Sequence, residues 1–169
     1  VVFLARDGQW LAGFVFSDPL KPDARDTVDA LRTMGLEVRI LSGDRESYVA
    51  AIARQLGIDH WDAEQLPEQK LLRVKQWQSD GRRVAMVGDG INDAPVLAAA
   101  DLSVSLSFGA DLARAAADLV INGGQLRPLV DAFRITRKTL RVIRQNFAWA
   151  VGYNIVAVPF AMAALVPPW

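Results

Sequence analysis

The sequence contains no cysteine and a single histidine, His60. Disulfide bridges and thiolate metal sites are therefore excluded within these 169 residues, and His60 alone cannot build a zinc site. An excess of charge of one sign is lacking too, because 19 Lys and Arg residues balance 19 Asp and Glu residues. This balance gives no argument for a nucleic-acid partner, and we expect none.

A start signal is also lacking. The chain begins at Val1, inside a strand-like run, without an initiator Met or a signal-peptide pattern. Its 169 residues, of which 51% are hydrophobic, are enough for one domain with a core and some additional structure. We expect the chain to be part of a longer protein.

Charge is unevenly distributed near the carboxyl end. Residues 127–144 contain six basic residues and one acid, Asp131, and the run from Phe147 to Val166 contains no charge. About 20 helical residues at roughly 1.5 Å each match the hydrocarbon thickness of a bilayer, about 30 Å. We predict a basic cytoplasmic stalk helix at residues 127–145 and a transmembrane helix at 146–166, with a buried core helix as the alternative to the latter.

Strands and helices alternate in the preceding residues. The predicted strands are Trp10–Phe16, Glu37–Leu41, Arg83–Val87, Leu102–Leu106 and Asp118–Ile121. The first predicted helix begins near Pro22. Three others cover Glu46–Leu56, Pro67–Gln78 and Ala94–Ala100, and one more lies between the last two strands. This alternation predicts an α/β fold with a Rossmann-like parallel sheet covered by helices on both faces.

Polar clusters follow two of these strands. The tripeptide Ser42–Asp44 follows the second strand, and the segment GDGIND, Gly88–Asp93, follows the third. Lys70 lies in the helix between them. Because ligands bind at the carboxyl ends of parallel strands, we expect these groups to converge.

The residue types in these clusters suit a magnesium-phosphate site. Asp89 and Asp93 are four residues apart and can reach one hard cation such as Mg²⁺. The Ser42–Gly43 hydroxyl and amides can bond phosphate oxygens, and Lys70 can neutralise phosphoryl charge. Each signal alone also has a structural explanation. Ser42–Asp44 could cap a helix, Lys70 could be a solvated helix residue, and Gly88–Asp93 could be an acidic turn.

Four segments occur in the order that a known family uses. The chain resembles the phosphorylation domain of heavy-metal-transporting P-type ATPases, a branch of the haloacid-dehalogenase superfamily. The matching segments are DPLKPDA (18–24), LSGDR (41–45), PEQK (67–70) and VGDGINDAPVLAAAD (87–101).

The resemblance implies roles for individual residues. Ser42 and Gly43 hold the phosphoryl group, with Ser42 in a position where threonine is more usual. Lys70 neutralises the phosphoryl charge, and Ser42 and Lys70 count as catalytic. The resemblance also implies that Asn92 binds the phosphate and that Asp89 and Asp93 bind Mg²⁺. ATP is the implied substrate.

One family motif is missing. The nucleophilic aspartate of the family sits in an Asp-Lys-Thr-Gly-Thr string, and this sequence has none. Asp18 is followed by Pro19, so we interpret Asp18 as a structural residue. The nucleophile is then expected upstream, residues 1–17 end a nucleotide-binding domain, and residues 18–126 belong to the phosphorylation domain. This chain alone is expected to be inactive.

The uncharged segment points to the transported ion. RQNFAWAVGYNIVAVP, residues 144–159, is similar to the copper(I) branch, and Tyr153 and Asn154 are the residues expected to complete a copper(I) site. A polar amide in hydrocarbon is a functional candidate, and Pro159 frees the carbonyl of Ile155. The alternative is that Tyr153 anchors the helix at the interface and Asn154 packs against another helix.

The implied protein is an ATP-driven copper(I) pump, multi-pass in the cell membrane with its soluble part cytoplasmic. Its partners would be the lipid bilayer, the actuator, nucleotide-binding and other transmembrane segments, and a soluble copper chaperone. Three alternatives stay open: a zinc or cadmium pump, a soluble phosphatase of the same superfamily, and a non-catalytic module that keeps only the fold.

Overall fold

The computed structural model describes residues 2–14, 19–88, 93–106 and 117–162, which fall into two units divided between Leu126 and Arg127. The strands of the first unit are β1 (Val2–Arg6), β2 (Gln9–Phe14), β3 (Arg39–Leu41), β4 (His60–Asp62), β5 (Ala85–Gly88), β6 (Leu102–Ser105) and β7 (Leu119–Val120). Its helices are α1 (Ala24–Thr33), α2 (Glu46–Leu56), α3 (Pro67–Ser79) and α4 (Ala94–Ala99). The second unit contains one helix, α5 (Arg127–Met162).

An antiparallel hairpin opens the chain. Strands β1 and β2 pair across Asp7 and Gly8, whose φ angles of 49° and 76° suit a two-residue hairpin turn. The rings of Phe3 and Trp10 meet edge to face at 5.1 Å. The sequence predicted a strand at Trp10–Phe16 and a strand-like run at Val1, where β1 lies, but not the pairing of the two. Residues 15–18, including Asp18, lie outside the described residues.

The remaining strands pair in parallel. β3 pairs with β4, and β5, β6 and β7 form a second sheet in that order. The predicted α/β fold with parallel strand pairing is therefore confirmed, although the described residues form two parallel sheets rather than one. β4 was not predicted, and the helix expected between β6 and β7 lies outside the described residues.

The helices of the first unit begin and end where local chemistry favours it. Gly57 has φ 68° and ends α2 in the left-handed conformation. α3 starts at Pro67, and the Gln69 side chain accepts a 2.8 Å hydrogen bond from the Leu66 N–H. Ala24 and Val28 of α1 pack with the buried residues Ala53, Leu56 and Ile58.

The described residues of the second unit, 127–162, form one continuous helix across the boundary predicted at residues 145 and 146. In the described part of the chain, no helix combines the length and hydropathy needed to cross a membrane. Residues 163–166 of the predicted transmembrane segment lie outside the described residues.

Candidate active site

The loop after β3 holds its serine hydroxyl in place. The Ser42 N–H donates to the carbonyl of Asp62 at 2.9 Å, at the end of the neighbouring strand β4. Ser42 Oγ donates to Asp44 Oδ2 at 2.8 Å and accepts from the Asp44 N–H at 3.2 Å. The hydroxyl is therefore fixed at the carboxyl end of the β3–β4 pair.

Gly43 is needed for space. A Cβ atom at this position would lie 3.2 Å from the carbonyl oxygen of Gln65, which is tighter than most real contacts. The Gln65 N–H in turn donates to the Ser42 carbonyl at 2.9 Å. The loop after β3 is thus packed directly against the segment that leads into α3.

Lys70 and Asp93 form an ion pair. Lys70 Nζ donates to Asp93 Oδ1 at 2.8 Å, and the two side chains are only 12% and 18% exposed. Lys70 lies in the first turns of α3, and Asp93 directly precedes α4. The pair therefore joins the helix after β4 to the segment after β5.

Further hydrogen bonds connect α3 to the sheet that contains β5. Gln78 Nε2 donates to the carbonyl of Ala99 at 2.9 Å and to Asp101 Oδ2 at 3.0 Å. Asp101 also accepts from the Val84 N–H at 3.0 Å and from Arg83 at 2.7 Å. These hydrogen bonds hold the pKa of the Asp101 carboxyl well below its usual range. The largest effect comes from the Val84 N–H, followed by Gln78 and then Arg83.

The structure brings some of the predicted site residues together. Lys70 contacts Asp93, and the Ser42–Gly43 loop reaches the start of α3 through Gln65. Asp89 and Asn92 lie outside the described residues. Tyr153 and Asn154 lie on α5, in the second unit.

Of the two predicted magnesium ligands, the structure describes Asp93. Oδ1 of Asp93 accepts from Lys70, whereas Oδ2 lies 3.6 Å from the position that a Cβ of Gly88 would occupy. A carboxylate oxygen beside a glycine backbone fits the chemistry of a hard cation. Within the described ranges, no group of three or more His, Asp or Glu side chains is placed to hold a metal ion.

A cavity of about 700 Å³ opens at the end of β3. Its wall is mostly apolar, with Ile40, Val49, Ile52 and Leu106 among the lining residues. Ser42 and Asp44 contribute polar groups to the same wall. The site loop therefore borders an apolar space rather than a filled core.

An ion pair that the sequence analysis missed lies beside the site. Arg73 contacts Asp62 at 2.5 Å, and the hydrogen bond to Asp62 raises the pKa of Arg73. Asp62 ends β4, the strand that was not predicted. The available signal was helical spacing, since Arg73 lies three residues after Lys70 and thus near the same face of α3.

Tyr153 and Asn154 occupy different faces of α5. Asn154 Nδ2 donates to the carbonyl of Ala150 at 2.8 Å, and Tyr153 is 71% exposed. A groove along one face contains Asn154 but not Tyr153. Its lining residues are Phe147, Ala150, Val151, Asn154, Ile155, Val158 and Pro159.

The family follows from comparison with known proteins. The model of the haloacid dehalogenase-like hydrolase family matches residues 1–101, which is more than half of the chain. The chain belongs to this family. In this haloacid dehalogenase-like hydrolase, Ser42 and Gly88 lie at the carboxyl ends of parallel strands.

Within this family, the chain is similar to metal-transporting P-type ATPases. A probable copper-exporting P-type ATPase V of Mycobacterium tuberculosis is 44% identical over 99% of this chain and 22% of its own length. A probable copper-transporting ATPase of Synechococcus, SynA, gives the same three percentages. The crystal structure of a zinc-transporting PIB-type ATPase superposes with a TM-score of 0.82 at 35% identity, covering 88% of this chain and 24% of that one.

These relatives confirm the predicted resemblance to heavy-metal P-type ATPases. The chain spans about a fifth of the length of the curated relatives it matches.

Proposed function

We propose that this chain is the phosphorylation domain, with the following membrane helix, of a copper(I)-transporting P-type ATPase. The observation that carries the proposal is the ion pair between Lys70 and Asp93. It brings together the lysine and an acid of two separate motifs, at the carboxyl ends of parallel strands and largely shielded from water. Such a pair can position a cation beside a phosphoryl group.

The nucleophilic aspartate comes from a segment upstream of this chain. In the described residues, β3 pairs only with β4, and β5 pairs only with β6, so each keeps one open edge. A parallel strand added between β3 and β5 would join the two sheets and end near Ser42 and Gly88. The apolar cavity beside β3 supports this placement, because an inserted strand needs apolar cover.

The site residues have different roles in binding the phosphoryl group in this proposal. Ser42, Gly43 and Asn92 bind phosphoryl oxygens, and Lys70 neutralises their charge. Asp89 and Asp93 would hold Mg²⁺, which supplies further charge stabilisation for phosphoryl transfer from ATP. The Asp44 carboxylate orients the Ser42 hydroxyl through the 2.8 Å hydrogen bond.

Residues 146–166 span the membrane in this proposal. The support is the uncharged run from Phe147 to Val166 and the basic residues before it, which favour a cytoplasmic location for the first unit. The complete protein would be multi-pass in the cell membrane. Its actuator, nucleotide-binding and remaining transmembrane segments, the bilayer and a soluble copper chaperone are the proposed partners.

Copper(I) is the proposed ion because the two relatives described above, each 44% identical to this chain, are named for copper. Tyr153 and Asn154 complete the transport site in this proposal. Since neighbouring helical residues point about 100° apart, the two side chains contact the ion from different faces of α5 or one of them acts by orienting a neighbour. The zinc-transporting structure keeps zinc as the second candidate.

The test is metal-dependent phosphorylation of the full-length protein that contains this chain. ATP should label the protein in the presence of copper(I) and not of Zn²⁺, and Lys70→Ala should abolish the label. Lys75→Ala, on the exposed side of the same helix, should retain it. Labelling that depends on Zn²⁺ would replace copper by zinc. Labelling that survives Lys70→Ala would contradict the proposed site.

The ion-site residues need a separate test. Asn154→Leu should insert into membranes at least as well as the parent, because it replaces an amide by an apolar side chain. It should still accept phosphate from inorganic phosphate but lose copper-stimulated labelling by ATP. Tyr153→Phe distinguishes an interface anchor, which tolerates loss of the hydroxyl, from an ion-site residue. Parent-like copper binding in both variants would make them packing residues.

A further inference from the structure

The first half of α5 carries a basic stripe, which we define as Arg134, Arg137, Lys138, Arg141 and Arg144. All five side chains are exposed. At about 100° per residue these positions fall within about 120° of the helix circumference and extend over roughly 15 Å. The basic residues are thus gathered on one face, rather than distributed around a uniformly solvated helix.

The charges of Lys138, Arg141 and Arg144 have little internal compensation among the described residues. From Ala132 to Trp169 the sequence contains these five basic residues and no acid, although the whole chain is neutral. Arg134 lies 3.4 Å from Asp131 across one helical turn. Among the ion pairs of the described residues, none involves Lys138, Arg141 or Arg144.

The remaining faces of the same helical segment carry exposed apolar residues together with Thr136 and Thr139. Ile135, Leu140, Val142 and Ile143 are 64%, 48%, 44% and 56% exposed. A helix with a basic stripe and exposed apolar residues on its other faces suits the boundary between headgroups and acyl chains. The uncharged run begins at Phe147, three residues after Arg144, so the stripe ends where hydrocarbon would begin.

We infer that the basic stripe binds the phosphate groups of anionic phospholipids at the cytoplasmic surface. Guanidinium groups match phosphate oxygens in a bidentate geometry, and four of the five members are arginines. The inference rests on the proposed membrane location of α5 and adds to it a preference for one class of lipid. A nucleic acid would offer the same phosphate chemistry, but the adjoining uncharged run favours a membrane.

The test compares binding of the complete 169-residue chain to phosphatidylcholine vesicles and to vesicles that also contain phosphatidylglycerol, by co-sedimentation. Each cation near an anionic surface contributes about fivefold, so three contribute on the order of a hundredfold at low salt. Lys138→Gln/Arg141→Gln/Arg144→Gln should lose this preference. The matched control Arg6→Gln/Arg54→Gln/Lys75→Gln removes the same charge from exposed positions of the first unit and should keep it.

The outcomes separate the stripe from the membrane span. Equal binding of the parent to both kinds of vesicle, resistant to a high-salt wash, would overturn the lipid inference and leave the span intact. Preference for anionic vesicles that a high-salt wash fully reverses, with no binding to neutral vesicles, would support the stripe and count against the span. Equally tight binding to short single-stranded DNA, with no preference between vesicles, would overturn the inference in favour of nucleic acid.

Discussion

The Lys70–Asp93 pair differs from the other short ion pairs in its shielding from water. Lys70 is 12% exposed in its pair, whereas Arg83 is 91% exposed while it contacts Asp101 at 2.7 Å. Removing Lys70 leaves a shielded carboxylate without its partner, whereas water can replace Arg83. The two ion pairs therefore have similar distances, but we expect the loss of Lys70 to cost more stability than the loss of Arg83.

We predict that Lys70→Met destabilises the chain by about 2 kcal/mol, the cost of an unsatisfied shielded group. The free energy of unfolding is measured by urea titration with tryptophan fluorescence. Arg83→Met is the control, and it should change stability little because its charge is solvated. Combining Lys70→Met with Asp93→Leu should recover part of the loss. Equal effects of the two single changes would show that shielding at Lys70 does not matter.

Asp101 should make stability depend on acid pH. Its pKa is lowered in the folded chain, chiefly by the Val84 N–H, so the unfolded chain binds the proton more readily. The stabilisation is complete above the unfolded pKa of about 4 and declines as the pH falls toward the folded pKa. The Tm difference between parent and Asp101→Asn should therefore shrink below about pH 4. Exposed Asp80→Asn serves as control, and a difference that stays constant with pH would contradict the prediction.

At the scale of one helix, Gly57 determines how α2 ends. Its φ of 68° is unfavourable for residues with a Cβ, and an added Cβ would lie 3.4 Å from the Arg25 guanidinium. Gly57→Ala should cost about 1 kcal/mol, and Gly57→Asn should cost less because Asn tolerates this conformation. Urea titrations of both variants test this. A Gly57→Ala chain as stable as the parent would indicate that the helix ends for another reason.

The elements with local signals were the ones that the sequence predicted well. α2 was predicted at its observed bounds, because an apolar stripe meets a glycine stop at Gly57. β4 was missed because His60–Asp62 has only three residues and no apolar alternation, and the strand exists through its pairing with β3. Composition suggested two segments in residues 127–166, but hydrogen bonding along α5 continues through the change in composition.

The candidate site was predictable only as a set of motifs. The spacing of the motifs placed Ser42 and Lys70 near strand ends, since the carboxyl ends of parallel strands share an edge. It did not predict that Lys70 would contact Asp93, 23 positions along the chain, because this contact depends on how α3 packs against α4. Asp62 was missed because it reaches the site through the pairing of β4 with β3, which the sequence did not predict.

At the scale of the whole molecule, the first unit contains the residues that we propose for phosphoryl transfer, whereas the proposed nucleophile lies in an upstream segment. No Asp-Lys-Thr-Gly-Thr string occurs in the sequence, and the described strands β3 and β5 each keep an open edge. Open edges readily accept a further strand. Supplying the upstream segment as a separate chain is therefore a direct test of how the domain is completed.

We predict that the 169-residue chain alone does not hydrolyse Mg-ATP, because the motif that carries the family's nucleophile does not occur in it. Co-expression with the upstream segment of the same protein should restore uptake of phosphate from ATP, since its strand would complete the sheet beside Ser42 and Lys70. Lys70→Ala should abolish that uptake, and Lys75→Ala should preserve it, because Lys75 is exposed and makes no ion pair among the described residues. Radiolabelled phosphoprotein after acid precipitation measures the result. Steady hydrolysis by the chain alone would show that a residue within it serves as the nucleophile, and uptake unaffected by Lys70→Ala would show that the phosphate binds elsewhere.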